Sequence, residues 1–504
     1  MPQQSDSYDY IVVGAGTAGS VVAARLTEDP GVRVLLIEAG APNTTSTSDF
    51  PPAWPALLQS AQNWGGEMTV QAATGTSPHI GRGKGIGGSS AINAMVFARG
   101  HRESYADWPE RGAKGWAFDD LLPFFKRSET AVGREATLRG QDGPLVVGPA
   151  SILHEIPAAM LRAAVECGHP SADDISGGNE IGFGAVDLNI VNGRRQSAAN
   201  AYLTDGPGRP NLRLESNALV HRVTFDGDRV TGVEYGIGPS TVTANAREVI
   251  LCAGAIGTPQ LLMLSGIGPA QHLRDHGIAV LHDRPGVGSN LQDHPMTAAI
   301  WASARMVSPS TRNHGEVIGL IRSELAQSDA PDIQLMFAEN LAGAQPEVPN
   351  VFGLSVSGMQ PHSRGTVRLA DANPASLPLV DPNFLGDERD LEVLVRGLRI
   401  GHQIGSASAL DEWRGPEIIP GPAFSSDDAL RAYVRASVGS HYHPIGTCAI
   451  GDTVDSVVGT DLTVHGIDGL RVVDASVMPS LPSNNTVATV YAIAERGAHL
   501  LRQQ

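Results

Sequence analysis

The segment SHYHPIGTC, residues 440–448, contains two histidines, His441 and His443, separated by one residue near the C-terminal end of the chain. Imidazoles two residues apart on a strand face the same side and can bind a metal, but the sequence nominates no further ligands. They can also be buried histidines hydrogen-bonded to backbone. A third interpretation is a general base, since a neutral imidazole accepts protons near neutral pH. The segment alone leaves all three open.

A glycine motif, GAGTAG, lies between a predicted buried strand, IVV, and a helical pattern, SVVAARLTE. Gly14, Gly16 and Gly19 allow a tight turn, close approach to a pyrophosphate and close helix packing, while the helix N-terminus faces the negative charge. Glu38 ends the next predicted strand, 24 residues after Gly14, where its carboxylate can accept hydrogen bonds from ribose hydroxyls. This βαβ unit predicts a dinucleotide site and does not separate NAD from FAD.

The remaining chain shows two regions that must position these residues. A predicted amphipathic helix at 116–129 and a hairpin pattern within 211–236 follow the βαβ unit. Alternating runs and a charged helix, ERDLEVLVRGLRIGHQIG, mark residues 296–440 as a second region. The tail reads as a strand, GLRVV, a loop and a final helix. Its apolar strand most economically rejoins the first sheet.

Bulk properties restrict the function classes. The 504 residues suggest two or three structural units, and the net charge of −17 disfavours nucleic acid and anionic membranes as partners. No apolar run reaches the roughly 18 residues of a membrane span, and the N-terminus lacks a basic start, so we expect a cytoplasmic protein. Cys167, Cys252 and Cys448 form no CxxC pattern, and we expect buried thiols.

Two more glycine-rich stretches carry small residues, at 81–100 and 254–269. Each is a flexible loop or a packing element when taken alone. With four other stretches, however, they resemble the glucose-methanol-choline (GMC) oxidoreductase family. The similar stretches, in chain order, are the βαβ unit, GKGIGGSSAIN (83–93), GAIGTPQLLMLSGIG (254–268), NLQDHP (290–295), HPIGT (443–447) and VVDASVMP (472–479).

The resemblance implies FAD rather than NAD. It also implies an α/β fold in which an FAD-binding doubly wound, Rossmann-like domain is combined with a substrate domain built on an antiparallel sheet. Together with the composition pattern, it predicts five segments. The FAD-binding domain is expected from 1–150, 191–295 and 441–504, the last carrying the catalytic residues, and the substrate domain from 151–190 and 296–440.

For catalysis, the resemblance assigns His443 as the base and Asn485 as its partner, with the neighbouring Asn484 as the alternative register. The role of His441 stays open. The cofactor-binding residues expected from the motifs and the resemblance are Gly14, Gly16, Thr17, Ala18, Gly19, Glu38, Ala39, Gly87, Ser90, Asn93, Ala94, Val96, Val220, Asp474, Ala475, Asn485 and Thr486. Some relatives link the flavin to a histidine at the position of Ile92, so non-covalent FAD is expected. No metal is predicted.

Three residues, Met296, Met336 and Tyr442, are the predicted substrate pocket. Choline-oxidising relatives carry a carboxylate and a histidine where this chain has the two methionines, and a quaternary ammonium group needs such charge or an aromatic cage. We therefore expect oxidation of an uncharged primary alcohol, with aryl and allylic alcohols as candidates. The alternatives are choline or amino-alcohol oxidation and a hydroxynitrile lyase reaction. The electron acceptor is oxygen or another molecule, and the sequence leaves the oligomeric state undetermined.

Overall fold

The computed structural model describes residues 7–42, 46–178, 180–204, 208–339 and 350–503. In these residues the helices are α1 Thr17–Leu26, α2 Ser46–Asp49, α3 Trp54–Leu57, α4 Phe118–Ser128, α5 Glu155–Glu166, α6 Gly254–Leu264, α7 Ala270–Asp275, α8 Glu388–Gly405, α9 Asp427–Ser437 and α10 Val487–Leu501. The strands are β1 Ser7–Val13, β2 Val34–Ile37, β3 Val96–Phe97, β4 Glu129–Ala131, β5 Leu145–Val147, β6 Gly182–Ala185, β7 Asp187–Leu188, β8 Ile190–Val191, β9 Arg194–Arg195, β10 Leu212–Glu215, β11 Ala218–Asp226, β12 Arg229–Ile237, β13 Ser240–Leu251, β14 Ile267–Gly268, β15 His282–Asp283, β16 Pro295–Ser303, β17 Val317–Ile321, β18 Ile333–Glu339, β19 Val351–Gly358, β20 Thr366–Arg368, β21 Leu379–Asp381, β22 Arg414–Ile419, β23 Gly439–Ser440 and β24 Leu470–Val472.

The first sheet contains five parallel strands in the order β10-β2-β1-β13-β24. Strand β13 is long enough to pair twice along one edge, antiparallel with β12 through its first half and parallel with β24 through its end. The predicted βαβ unit is β1, α1 and β2, and the predicted tail strand, β24, joins the same sheet. Apolar runs such as VLLI in β2 are buried because helices cover both faces of such a sheet.

The second sheet is antiparallel, in the order β22-β16-β19-β18-β17-β6, with β23 paired to the start of β16. One of its faces packs under α5 and α8 in a separate hydrophobic core. The other face is turned away from these helices. This sheet draws on residues 182–185 and 295–440, whereas the five-segment domain division itself stays a prediction.

Helix α8 approaches the second sheet closely because glycines recur along one side of it. A Cβ atom built at Gly397 would lie 2.3 Å from Cγ1 of Val356, and one at Gly405 would lie 2.4 Å from Cζ2 of Trp301. Real Cβ atoms do not approach heavy atoms this closely. The glycines therefore set the distance between α8 and the sheet that carries part of the site.

The structure tests two predictions made from composition, the buried cysteines and the lack of a membrane-spanning segment. Cys252 and Cys448 are buried free thiols, as predicted, but Cys167 is partly exposed because it lies at the C-terminal end of α5. That expectation was wrong for Cys167, since a helix end is open to solvent. Among the described helices, none combines the length and the apolar character needed to cross a bilayer.

Replacing Gly405 by Ala tests the close approach of α8. Overpacking against Trp301 is expected to lower the free energy of unfolding by about 1–3 kcal/mol, even though alanine favours helix. The measurement is urea denaturation of the flavin-loaded protein, with Gly208→Ala as a control, since a Cβ at Gly208 meets nothing within 4 Å. Equal midpoints for both variants would contradict the packing argument.

Candidate active site

A buried carboxylate, Asp293, holds the turn that carries the two histidines. The Ser440 hydroxyl donates to one of its oxygens, and the His443 backbone N–H donates to the other at 2.8 Å. The half-buried Arg82 lies opposite and donates to the Tyr442 carbonyl oxygen at 2.5 Å. Tyr442 has a positive φ of 63°, so the chain turns sharply between the two histidines. The local conformation is therefore fixed by contacts from residues about 150 and 360 positions away.

Three imidazoles converge at this turn. His294 precedes β16, and its Nδ1 lies 2.9 Å from Nδ1 of His443. The backbone carbonyl oxygen of His294 accepts a hydrogen bond from the His441 backbone N–H at 3.0 Å. The rings of His441 and His443 lie 4.4 Å apart, and ligand atoms of all three residues lie within 4.8 Å of one another. The 2.9 Å contact is a hydrogen bond that occupies one nitrogen on each of two rings. That no metal binds here stays a prediction.

The second nitrogen of His443 contacts the predicted partner. Nδ2 of Asn485 lies 3.2 Å from Nε2 of His443. The Asn485 amide is oriented by Gln334, whose Nε2 donates to Oδ1 of Asn485 at 3.4 Å and to Oδ1 of Asn484 at 2.8 Å. Asn485, not Asn484, therefore contacts the histidine. In this arrangement Asn485 donates to Nε2, and His443 donates from Nδ1 to His294.

Burial keeps these imidazoles neutral. Desolvation, with smaller contributions from His441, His294 and Arg82, holds the pKa of His443 well below its ordinary value. Burial also lowers the pKa of His441 to about 4 and holds the pKa of His294 well below the usual range. Burial raises the pKa of Asp293 to about 6, partly offset by its hydrogen bonds and by Arg82. The site thus presents unprotonated nitrogens at neutral pH.

The GAGTAG motif forms a turn suited to a pyrophosphate. Gly14 has a φ of 98°, and a Cβ at Gly19 would lie 1.8 Å from the Gly14 carbonyl oxygen, so both positions require glycine. Helix α1 begins at Thr17 and includes Ala18. Within the described chain, no side chain caps its N-terminus at Gly16 and its first turn holds no acidic residue. Its free N–H groups and positive dipole end are therefore open to an anion.

Glu38 joins this turn to the second glycine-rich stretch. Its carboxylate accepts from the backbone N–H groups of Ala15 at 2.9 Å, Gly40 at 2.8 Å and Gly85 at 2.9 Å. Gly87, also at a positive φ, donates its N–H to the Ala15 carbonyl oxygen at 2.7 Å. The two glycine-rich stretches are thus docked on each other, which gives the backbone cradle that FAD requires.

The residues predicted to face the flavin ring lie in ordered, interlocked backbone. The Ser90 hydroxyl donates to the Gly87 carbonyl oxygen at 2.5 Å. Oδ1 of Asn93 accepts from Arg195 at 2.7 Å, and the Ala94 carbonyl oxygen accepts from Asn313 at 2.7 Å. These contacts fix the conformation of the segment, so its backbone can serve as a rigid surface.

Two predicted contacts, Val96 and Val220, lie on strands. Val96 is buried on β3 in a small apolar cluster that includes Leu320 of the second sheet. Val220 lies on β11, whose first residue, Ala218, donates its N–H to the Glu38 carbonyl oxygen at 2.9 Å; Ala39 directly follows Glu38. The strand therefore begins beside the backbone of the predicted ribose-binding residue, and Val220 lies two residues further along it.

The remaining predicted cofactor residues lie at helix ends. Asp474 accepts from the N–H of Gly254 at 2.8 Å and from the hydroxyl of Thr258 at 2.6 Å, so it caps α6. Ala475 begins the short turn that follows, and Thr486 is the residue before α10. The set has the donors, anion-facing helix end and small residues that suit a dinucleotide, and the structure is compatible with FAD.

The predicted pocket residues lie on two sides. Met296 on β16 and Met336 on β18 belong to the sheet face that is turned away from α5 and α8, since their neighbours in register are Ser357 and Ser355. The ring of Tyr442 lies against Gly81. The sheet face and the histidine turn therefore border the same region.

Four residues of the site were not assigned from the sequence: Arg82, Asp293, His294 and Gln334. Asp293 and His294 lie in the NLQDHP stretch. An adjacent Asp and His in one motif, with further histidines in a later motif, was the available signal. Gln334 is the one polar residue in a run of apolar residues, IQLMF, which is a second signal. Arg82 has no comparable signal.

Comparison with known proteins agrees with this geometry. The family model of the GMC oxidoreductase N-terminal domain matches residues 8–296, and that of the C-terminal domain matches residues 361–494. This chain belongs to the GMC oxidoreductase family. The predicted doubly wound α/β fold with an antiparallel-sheet region and the predicted oxidoreductase class are thereby confirmed. The family is FAD-dependent, which confirms FAD over NAD.

Individual relatives cover nearly the full chain. It is 38% identical to the mitochondrial choline dehydrogenase of Homo sapiens, over 100% of this chain and 91% of that protein. It is 37% identical to the oxygen-dependent choline dehydrogenase of Escherichia coli O139:H28, over 99% and 96%. The crystal structure of pyridoxine 4-oxidase from Mesorbium loti matches with a TM-score of 0.93 and 35% identity, covering 99% of both chains.

The neutral histidines predict a pH dependence of stability. Because their folded pKa values lie below the unfolded value of about 6.5, the unfolded chain binds protons that the folded chain does not, and stability falls as pH falls below 6.5. Asp293, whose folded pKa is raised to about 6, acts in the opposite direction, as do Glu38 and Asp474, whose pKa values burial also raises.

A single histidine is isolated by comparing variants. His441→Asn is expected to reduce the fall in stability between pH 6.5 and 5 by about 2 kcal/mol, from roughly 1.4 kcal/mol per pH unit for one group. Melting temperatures of the flavin-loaded protein across this range measure it. The partly exposed His499, changed to Asn, is the control and should keep the wild-type slope. Parallel curves for wild type and His441→Asn would refute the assignment.

Proposed function

We propose that this protein oxidises an uncharged primary alcohol to its aldehyde with FAD, using His443 as the base and Asn485 to orient the alcohol oxygen. The observation that carries the proposal is the contact of 3.2 Å between Nε2 of His443 and Nδ2 of Asn485, with His294 bonded to the opposite nitrogen. The ring is thereby held with its proton on Nδ1 and its lone pair at Nε2. That is the form in which an imidazole accepts an alcohol proton.

The chain's own groups divide the work at the alcohol oxygen. An alcohol hydroxyl that binds between the two side chains replaces the hydrogen bond from the Asn485 amide to Nε2 of His443. It donates its proton to Nε2 and accepts a hydrogen bond from the Asn485 amide. Because burial disfavours the imidazolium, the base is unprotonated at neutral pH but only weakly basic. The amide of Asn485 therefore stabilises the negative charge that develops on the oxygen. Bound FAD supplies the hydride acceptor.

The substrate class rests on the side chains of the sheet face and on the relatives. Met296 and Met336 contribute apolar surface and no charge, which disfavours a quaternary ammonium substrate. Relatives whose names specify choline or pyridoxine as the substrate share the primary alcohol. An uncharged alcohol such as a benzylic or allylic one fits the methionines better than choline does. Choline oxidation is the alternative substrate assignment.

The test is anaerobic mixing of the flavin-loaded protein with benzylic and allylic alcohols and with choline, following the long-wavelength flavin absorbance. Bleaching by the uncharged alcohols but not by choline is expected. His443→Asn is expected to slow bleaching by about 10²–10⁴-fold, the usual contribution of a general base. The control, His499→Asn, should bleach at the wild-type rate. Asn485→Ala should slow bleaching more than Asn484→Ala does.

Other outcomes have definite meanings. Bleaching by choline alone would contradict the assignment of an uncharged alcohol and support choline oxidation instead. No bleaching by any alcohol, together with release of an aldehyde from a cyanohydrin, would favour the lyase reaction. Readmission of air after bleaching shows whether oxygen restores the colour, which decides between oxygen and another acceptor. The cytoplasmic location stays a prediction.

We further propose that FAD is held without a covalent bond. The supporting observation is Ile92, an aliphatic side chain that offers no nucleophile and that is buried just before Asn93. Acid or heat precipitation of the yellow protein is expected to leave all the flavin in the supernatant, since only contacts and hydrogen bonds hold it. Flavin that remains in the washed protein pellet would contradict this prediction.

A further inference from the structure

The face of the second sheet that borders the histidines carries a cluster of polar side chains. In the strand register, Ser357 of β19 lies between Met296 of β16 and Gln334 of β18. Ser355, two residues earlier on β19, lies beside Met336. Because side chains alternate along a strand, these five residues share one face. We call Gln334, Ser355 and Ser357 the polar patch.

The polar patch faces the catalytic side and not the core under α8. The Gln334 side chain reaches Asn484 and Asn485 at 2.8 and 3.4 Å, which fixes the direction of its face. Residues one position away, such as Leu335 and Val356, lie in the apolar core under α5 and α8. The two methionines expected to line the pocket thus each lie opposite a serine on the neighbouring strand β19.

The polar patch has unused hydrogen-bonding capacity. Oγ of Ser355, Oγ of Ser357 and Oε1 of Gln334 are buried and have no hydrogen-bond partner in the described part of the chain. Ser357 and Gln334 are each 1% exposed. A buried polar group without a partner costs about 1–3 kcal/mol. Three such groups lie on one face, and one of them, Gln334, bonds the asparagine that contacts His443, which points to a ligand that supplies their partners.

We propose that the polar patch binds a second hydrogen-bonding group of the substrate, so that the preferred substrate is a primary alcohol with an additional hydroxyl. This inference rests on the proposed function and narrows its substrate class. It replaces a purely apolar pocket by one that has methionines and hydroxyls side by side. A plain hydrocarbon alcohol would leave three polar atoms unpaired.

The donor and acceptor inventory favours a group that donates, such as a hydroxyl, over one that only accepts, such as an ether oxygen. Nε2 of Gln334 is already used by the two asparagines, so Gln334 offers only its carbonyl oxygen, an acceptor. Ser355 and Ser357 can each donate or accept. A substrate hydroxyl donates to Gln334 and accepts from a serine, which satisfies both. An ether oxygen or a methyl group leaves the Gln334 acceptor unpaired.

Matched alcohols test the polar patch on the wild-type holoenzyme. The 3- and 4-hydroxybenzyl alcohols are compared with methylbenzyl alcohols, which match them in size, and with methoxybenzyl alcohols, which match them in electron donation. We expect kcat/KM for at least one hydroxy isomer to exceed both analogues by about tenfold or more, the effect of one to two buried hydrogen bonds. Ratios near one for both isomers would overturn the proposal and leave water as the partner of the polar patch.

Variants then locate the preference. Ser357→Ala, Ser355→Ala and the double variant are expected to bring the hydroxy-to-methyl ratio of kcat/KM towards one. Thr297 lies on β16 but bonds Ser437 of α9, on the opposite side of the sheet, so Thr297→Val is the matched loss of a hydroxyl. It should keep the wild-type ratio. An unchanged ratio in the double serine variant would refute the role of the polar patch.

A binding measurement separates this inference from the proposed function. Titration of the holoenzyme with 4-hydroxybenzaldehyde and 4-methylbenzaldehyde, followed by flavin absorbance, gives a ratio of Kd values without turnover. If no alcohol is oxidised but the hydroxy aldehyde binds about tenfold more tightly, the proposed reaction fails and the polar patch stands. If alcohols are oxidised and both Kd and kcat/KM ratios are near one, the reaction stands and the polar patch fails.

Discussion

The geometry of the three histidines depends on one buried carboxylate, Asp293. It stands one residue before His294, and its two oxygens bind the Ser440 hydroxyl and the His443 N–H, so a single side chain joins the start of β16 to the histidine turn. Arg82 lies close enough for its charge to lower the Asp293 pKa, against the larger effect of burial. If Asp293 lost these hydrogen bonds, it would become a buried polar group without partners, which is costly. The position of His443 therefore depends on the hydrogen bonds that Asp293 accepts.

A directional chain of hydrogen bonds extends from this anchor. Gln334 donates to Asn485, Asn485 donates to His443, and His443 donates to His294. Each step fixes the donor or acceptor role of the next, so the tautomer of His443 is set by a glutamine on β18. In a buried site such bonds act without competition from water. The antiparallel sheet thus orients the side chain that contacts His443.

Sequence predicted the parts of the site that are local. The βαβ unit, helix α8 and the tail strand follow from periodicity within about 20 residues, and the GMC resemblance selected His443 and Asn485 by their motifs. Gln334 and Arg82 were not predicted because their roles depend on contacts with residues 151 and 360 positions away in the chain. The polar patch could not be predicted from the sequence for a related reason. Which face of β19 meets the base is decided by strand register, and no single sequence window contains that information.

Buried carboxylates and buried hydroxyls of this protein differ in how fully they are hydrogen-bonded. The carboxylates of Glu38 and Asp474 each accept three hydrogen bonds, in both cases with donors from separate segments. An ionised group left unpaired would be far more costly than a neutral one, and the carboxylates of Glu38 and Asp474 find their partners within the fold. The hydroxyl of Ser357 is neutral and has no partner in the described part of the chain. The contrast is between carboxylates whose hydrogen bonds join separate segments around the first sheet and a hydroxyl on the second sheet that is left without an internal partner.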